Sequence, residues 1–292
     1  MDEIARRTDP LIAERAPWLF SGRPGTATAR RCLDHVLRYR ETLDLGRRFI
    51  DLPGQEIMAR LGDMIARDTR VTGLHRLPAT GPVLIVANHP TGIADGVVLH
   101  HALKARRPDL YFLANADILR VLPQMSDVIA PVEWRPEKRC HRKTRETMAY
   151  LREAIGAGRA GVIFPSGRLA KRRGLRLYER PWMSSAAMIA RRFDVPVVPV
   201  HIRARNSALF YLFDAIHPTL RDITLFHETL NKARQPYRIR VGQPIAGGTL
   251  PANHDDAIEE LRHATLSLAR HEGPGVSLAL ATRRPVLRFS RT

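Results

Sequence analysis

The stretch Val83-Leu84-Ile85-Val86-Ala87-Asn88-His89-Pro90-Thr91-Gly92-Ile93-Ala94-Asp95-Gly96 decides the fold of this chain. Its first five residues are apolar, too few for a helix and rich in β-branched side chains, which predicts a buried strand. A helix is predicted from about Ala94 to Lys104, directly after it. A strand that hands over at once to a helix is the unit of an α/β fold, and such folds expose reactive side chains at that junction. His89 and Asp95 lie there, on either side of Gly92, whose backbone freedom permits a tight turn.

Downstream, the same alternation repeats. Tyr111-Phe112-Leu113-Ala114 and Val128 to Val132 read as strands, and Arg145 to Gly156 as a helix with Met148, Leu151 and Ile155 at helical spacing. Gly161-Val162-Ile163-Phe164 is a further strand, followed by a basic loop, a helix near Ser184 to Arg192 and a strand from Val195 to Ile202. Tyr237 to Val241 is the last strand. A closing helix runs from about Asp255 to Arg270, with Asp256 and Glu259 spaced like a capping box. The order predicts an α/β fold with a central, largely parallel mixed sheet covered by helices, and ligands at the loops beyond the strand ends.

Upstream, residues 1–25 are rich in Pro, Arg and Asp and read as an irregular leader. From about Thr28 to Ile50, Cys32, Leu33, Val36, Leu37 and Leu43 fall near one helical face. After Pro53 a second stripe follows with Ile57, Met58, Leu61, Met64 and Ile65. This N-terminal helical pair packs on the core or docks on a membrane, and both uses can hold at once. The expected division is a leader and helical pair over 1–70, a main domain over 71–272 and a poorly ordered basic tail over 273–292.

Composition narrows the function classes. The 292 residues are 44% hydrophobic, enough for a sizeable core and one active site. Lys and Arg number 47 against 29 Asp and Glu, so the net charge is 47 − 29 = +18, a field that concentrates polyanions. Nucleic acid, anionic membrane and phosphorylated substrates all qualify by charge, but aromatics at 6% argue against base-stacking platforms. Cys32 and Cys140 are far apart and beside no His cluster, which predicts neither a disulfide framework nor a zinc site and fits a cytoplasmic protein. The first residues lack the order of a signal peptide and no apolar run is long enough to span a bilayer, so any membrane contact is expected to be peripheral, on the inner face.

The chemistry starts from His89 and Asp95. A carboxylate on one ring nitrogen sets the tautomer and leaves the other nitrogen to take a proton from an alcohol, a general-base pair without a protein nucleophile. The plain alternative is a His that caps the helix or fills a turn. The loop Phe164-Pro165-Ser166-Gly167-Arg168-Leu169-Ala170-Lys171-Arg172-Arg173 joins backbone donors to a cationic cluster suited to a phosphate, or is simply a solvated basic loop. His100 and His101 read as surface imidazoles and His201 as a structural histidine. Asn206-Ser207 reads as a polar strand exit or as the mouth of a pocket.

Four segments then occur in one order: Ala87-Asn88-His89 to Asp95, Asp127 to Trp134, Phe164-Pro165-Ser166-Gly167, and Val195-Pro196-Val197-Val198-Pro199-Val200. In this order the chain resembles the lysophospholipid and glycerophosphate acyltransferase family, PlsC-like, over about Val71 to Ile245. The resemblance implies transfer of an acyl group from acyl-CoA or acyl-carrier protein to a hydroxyl of a lysophospholipid such as 1-acylglycerol-3-phosphate, with His89 as base and Asp95 as orienting carboxylate. No metal or redox cofactor is implied, because a thioester is already activated. It further implies substrate contacts from Asn88, Thr91, Gly92, Arg135, Ser166, Gly167, Arg168, Lys171 and Arg172, with backbone donors near Gly167 for the oxyanion.

The motifs also depart from the family. Five residues rather than four separate His89 from Asp95, as in a bacterial branch of the form Asn-His-Pro-x-Gly-x-x-Asp-Gly. Ser166 replaces the family's glutamate, Arg168 and Leu169 replace its threonine and arginine, and Trp134 stands where an acceptor-binding arginine is usual. These departures make a lyso-ornithine or other amino-lipid the alternative acceptor. A noncatalytic basic protein for membrane or nucleic acid is the alternative from another class, with nucleic acid disfavoured as a partner.

Overall fold

The computed structural model describes residues 2–133, 140–269 and 275–278. Strand β1 (Thr69–Thr72) is followed by β2 (Val83–Ala87), helix α5 (Ile93–Leu103), β3 (Tyr111–Asn115), α6 (Asp117–Val121), β4 (Ile129–Val132), α7 (His141–Gly156) and β5 (Ala160–Ile163). A hairpin of β6 (Lys171–Arg173) and β7 (Arg176–Tyr178) leads to α8 (Ser185–Arg192) and β8 (Val197–Arg203). Helices α9 (Ala208–Ile216), α10 (Pro218–Ile223) and α11 (Leu225–Asn231) precede β9 (Tyr237–Val241), α12 (His254–Ser267) and β10 (Gly275–Ser277). Ahead of the sheet lie α1 (Glu3–Arg15), α2 (Thr26–Val36), α3 (Tyr39–Phe49) and α4 (Gly54–Ile65).

Seven strands form one sheet in the order β1-β9-β8-β2-β5-β3-β4. Every neighbouring pair is parallel except β8 with β9, so the sheet is the mostly parallel, helix-covered α/β sheet expected. Strand β2 sits in its middle with all five side chains buried. Val83, Ile85 and Ala87 face one core cluster with α4 and α5, while Leu84 and Val86 face the other with α7, α8 and α12. An apolar residue at every position is what a strand buried on both faces requires, and each fully buried Val, Leu or Ile contributes roughly 1.5–3 kcal/mol.

The N-terminal region departs from the predicted leader and helical pair. Residues 3–15 are helical because Ile4, Thr8 and Leu11 make a short stripe that buries, and the Asp2 carboxylate caps the Ile4 N–H at 3.2 Å. The helix predicted over 28–50 is two helices, broken where Arg38 takes the left-handed conformation at φ 54°. The break puts Leu43 on a different helix from Cys32 and Val36, which stay exposed, and α2 buries no residue. Helix α4 buries Ile57, Met58 and Ile65 of its expected stripe and leaves Met64 exposed.

Two further expectations change. The closing helix is capped by Asn253, whose side chain accepts the Asp255 N–H at 2.8 Å, so Asp256 and Glu259 lie inside it rather than form its box. Within the expected disordered tail, residues 275–277 form β10, paired antiparallel to β7, while 273–274 and 279–292 lie outside the described residues. Among the described residues, no helix is long and apolar enough to cross a membrane.

His100, expected at the surface, is 3% exposed and bonds Gln55 Oε1 through Nε2 at 3.1 Å, because α4 packs over α5. Burial, reinforced by Lys104 and His101, pushes it from 6.5 to about 4; burial with Arg240 and Arg203 does the same to His201 on β8. Unfolded, each imidazole binds a proton below 6.5, whereas folded it does so only below about 4. Between those values the unfolded chain holds more protons, so stability is lost as pH falls through this window. Denaturant titrations at about pH 7 and about pH 5 should show a loss on the order of 2 kcal/mol for each imidazole. His201→Leu should flatten that dependence.

Candidate active site

The register of the central strands assembles the site. Val86 on β2 pairs with Ile163 on β5, and Ala87 with Val200 on β8, so three strands deliver their exits side by side. Asn88 and His89 leave β2 beside Phe164, which leaves β5, and the His89 ring stacks on the Phe164 ring at 4.3 Å and 22°. Asn88 clasps β8: its Nδ2 donates to Ile202 O at 2.8 Å and its Oδ1 accepts the Ile202 N–H at 2.7 Å.

The turn at Gly92 brings His89 and Asp95 together. Gly92 sits at φ 94°, which favours glycine, and a Cβ there would crowd Leu169 at 3.2 Å and Leu225 at 3.3 Å. Asp95, in the first turn of α5, accepts the N–H groups of Thr91 at 2.8 Å and Gly92 at 3.0 Å, where the helix dipole favours a carboxylate. The same Oδ2 lies 3.0 Å from His89 Nδ1, and Oδ1 accepts the Thr91 hydroxyl at 2.5 Å.

These partners set the proton positions. An ionised Asp95 has only acceptors to offer, so Nδ1 carries the proton and the basic lone pair of His89 is on Nε2. Thr91 spends its hydroxyl proton on Asp95 and therefore accepts from Tyr237 OH, 2.7 Å away. Burial, with the Asp95 charge behind it, holds the Tyr237 phenol well above its ordinary range, so it stays a donor. Asp95 is fully buried, while the His89 side chain keeps 16% exposure, and among the described residues no group partners Nε2. A partly open imidazole oriented by a buried carboxylate is equipped to accept a proton from a hydroxyl.

The other predicted contacts divide. Asn88 and Thr91 lie 3% and 1% exposed, and the bonds already described use their polar groups inside the fold. In the structure both residues support the site from beneath. The Gly167 N–H donates to Phe164 O at 2.9 Å in a turn, so it is not a spare oxyanion donor. Ser166 is buried, with its Oγ donating to Arg168 O at 2.8 Å. Arg168 and Lys171 are exposed, and the Arg172 guanidinium lies 5.7 Å from the Tyr211 ring. Arg135 lies outside the described residues, as does Trp134.

Several residues of the site carry no local sequence signal. Glu179 reaches in from just after β7: Oε2 accepts the His89 N–H at 3.1 Å, Oε1 accepts from Trp182 Nε1 at 3.1 Å, and the carboxylate lies beside the Ser166 side chain. Burial pushes its pKa up, and these donors pull the other way. A carboxylate thus meets Ser166 from thirteen residues downstream of it, in the segment where the resembled family carries a glutamate. Arg180 holds Leu169 O through Nε at 2.9 Å, and burial, then Arg168 and Arg221, depress its pKa. Asn206 and Ser207 join a buried polar cluster rather than a pocket mouth: Lys232 Nζ donates to Asn206 Oδ1 at 2.5 Å and to Glu228 Oε2 at 3.0 Å, and Glu228 accepts the Ser207 N–H at 2.8 Å.

Residues 68–203, the span that holds all of these strand exits, match the family model described as Acyltransferase. Over that span the chain is similar to the acyltransferase family. The chain is 25% identical over 203 residues to a lyso-glycine lipid O-acyltransferase of Phocaeicola vulgatus, covering 66% of this chain and 69% of that protein. It is 24% identical over 203 residues to a lyso-glycine lipid O-acyltransferase of Bacteroides thetaiotaomicron, covering 67% and 72%. Its fold is similar to the crystal structure of the 1-acyl-sn-glycerophosphate acyltransferase PlsC from Thermotoga maritima, with a TM-score of 0.50 at 12% identity over 83% of this chain and 96% of that one. The domain match and the O-acyltransferase relatives indicate an acyltransferase enzyme, and the fold is like that of PlsC.

Proposed function

We propose that this acyltransferase moves a fatty acyl group from a thioester, carried by CoA or acyl-carrier protein, to a hydroxyl of a lysolipid. The Nδ1-to-Asp95 bond at 3.0 Å carries the reading, because it leaves Nε2 as the base. His89 Nε2 takes the hydroxyl proton as the oxygen attacks the thioester carbonyl carbon. The tetrahedral intermediate collapses, the C–S bond breaks, and the imidazolium returns its proton to the thiolate. Asp95 stabilises the imidazolium between these steps. The carbonyl is activated by sulfur, so the reading needs no metal or redox cofactor.

For the acceptor, an amino-acid lysolipid is favoured over 1-acylglycerol-3-phosphate. The two relatives named for lyso-glycine lipid support that order, as does the divergence of Ser166, Arg168 and Leu169 from the glycerophosphate pattern. Arg168, with Arg180 beside it, is the group suited to an anionic headgroup, carboxylate or phosphate. Purified protein given acyl-CoA or acyl-carrier protein with each lysolipid should yield the acylated amino-acid lipid by mass spectrometry. Faster product formation from 1-acylglycerol-3-phosphate would reverse the acceptor order, and no acylated product from any lysolipid would refute the reading.

A further inference from the structure

Helix α9 presents an outer face that a water-exposed helix does not normally carry. Ala208, Leu212, Ala215 and Ile216 are exposed at the spacing of one helical face, Leu212 to 56% and Ile216 to 61%. The opposite face is the anchored one: Phe210 and Tyr211 pack with Leu177 of the β6–β7 hairpin in a small separate core. The turn of that hairpin adds Leu175, 73% exposed, flanked by exposed Lys171 and Arg173. The one acid of α9, Asp214, is paired with Arg221 at 3.3 Å. An apolar ridge rimmed by cations thus stands on elements that pack against one another.

The same small core reaches the catalytic turn. Leu169 and Leu225, packed against it, are the side chains that a Cβ on Gly92 would crowd. We infer that the exposed face of α9 and the tip of the β6–β7 hairpin form the surface by which this enzyme docks on an anionic phospholipid bilayer. Leu212, Ile216 and Leu175 enter the acyl boundary, and Lys171 and Arg173 meet the headgroups. Charge selects this occupant over a second copy of the chain: at +18, two such faces repel, whereas an acidic lipid surface attracts both the rim and the whole molecule. The inference deepens the lysolipid reading, since an acceptor held in the bilayer would lie beside His89.

Vesicle sedimentation tests it with the full chain. Wild type should partition onto vesicles of mixed phosphatidylcholine and phosphatidylglycerol, and far less onto phosphatidylcholine alone. Leu212→Gln/Ile216→Gln should weaken partitioning by about tenfold or more, at unchanged melting temperature and unchanged turnover of a short-chain, water-soluble acceptor. Leu212→Trp, which keeps the ridge apolar, should shift its emission to the blue on those vesicles. Partitioning of the double variant within about twofold of wild type overturns the inference, as does an unshifted Leu212→Trp emission. Loss of binding on substituting Trp18 and Phe20 with α9 intact also overturns it, as does a dimer that only the α9 variant dissociates. If no lysolipid is acylated while α9-dependent partitioning persists, the functional reading fails and the docking surface stands.

Discussion

His89→Ala is expected to lower the rate of acyl transfer by about 10³- to 10⁴-fold, with the melting temperature of the variant close to that of wild type. The His89 ring is stacked on Phe164 at the rim of the sheet and contributes little to the buried core, so its removal should act on chemistry. Asp95→Asn is expected to lose activity on a similar scale by another route. The amide would donate to Nδ1 where the carboxylate accepts from it, which moves the imidazole proton to Nε2 and removes the base. Asparagine also offers one acceptor oxygen where the Thr91 and Gly92 N–H groups and the Thr91 hydroxyl now share two. Steady-state rates at saturating thioester, with thermal melts of both variants, check this. Wild-type turnover in either folded variant would sink the general-base assignment.

Lys232→Ala should have the largest effect on stability, a loss of about 3–5 kcal/mol. Lys232 is 0% exposed and Glu228 1%, and the ammonium also holds Arg205 O at 3.0 Å. Burial lowers the Lys232 pKa, while Glu228 and Asp95 oppose that shift. Removing the ammonium leaves the Glu228 carboxylate buried with donors, among the described residues, only from Ser207. Lys232→Met/Glu228→Gln, which removes both charges at similar volume, should recover much of the loss, because neither buried ion is then uncompensated. Urea titrations of the single and double variants check this. A double variant no more stable than Lys232→Ala would mean that packing, rather than charge, dominates there.

Much of the scaffold is legible in the chain. The uninterrupted apolar run of β2 and the repeated strand-to-helix handovers predict the mostly parallel sheet, because both of its faces are buried and each strand must be apolar throughout. The Gly92 turn can be read as well, since a His before it and an Asp after it are local partners. Local pattern fails where the determinants are distant. The β6–β7 hairpin reads as a basic loop because Lys171, Arg172, Arg173 and Arg176 mask a two-strand ladder whose single buried apolar residue is Leu177. Helices α9 to α11 are short, and α9 is apolar on both faces, so no single periodicity marks them.

The sequence by itself determined the sheet, the position of His89 and Asp95 at the end of a buried strand, and the acyltransferase resemblance, because all three depend on residues close together in the chain. Only the tertiary structure decided what surrounds the pair. The β2–β5–β8 register sets His89 on Phe164 and clamps Asn88 to Ile202, and the pairing of β9 on β8 brings Tyr237 to Thr91 as a proton-ordering support for Asp95. The chain after the β6–β7 hairpin brings Glu179 to the His89 N–H across ninety residues of chain. Such partners are chosen by strand order and packing, which no local pattern records.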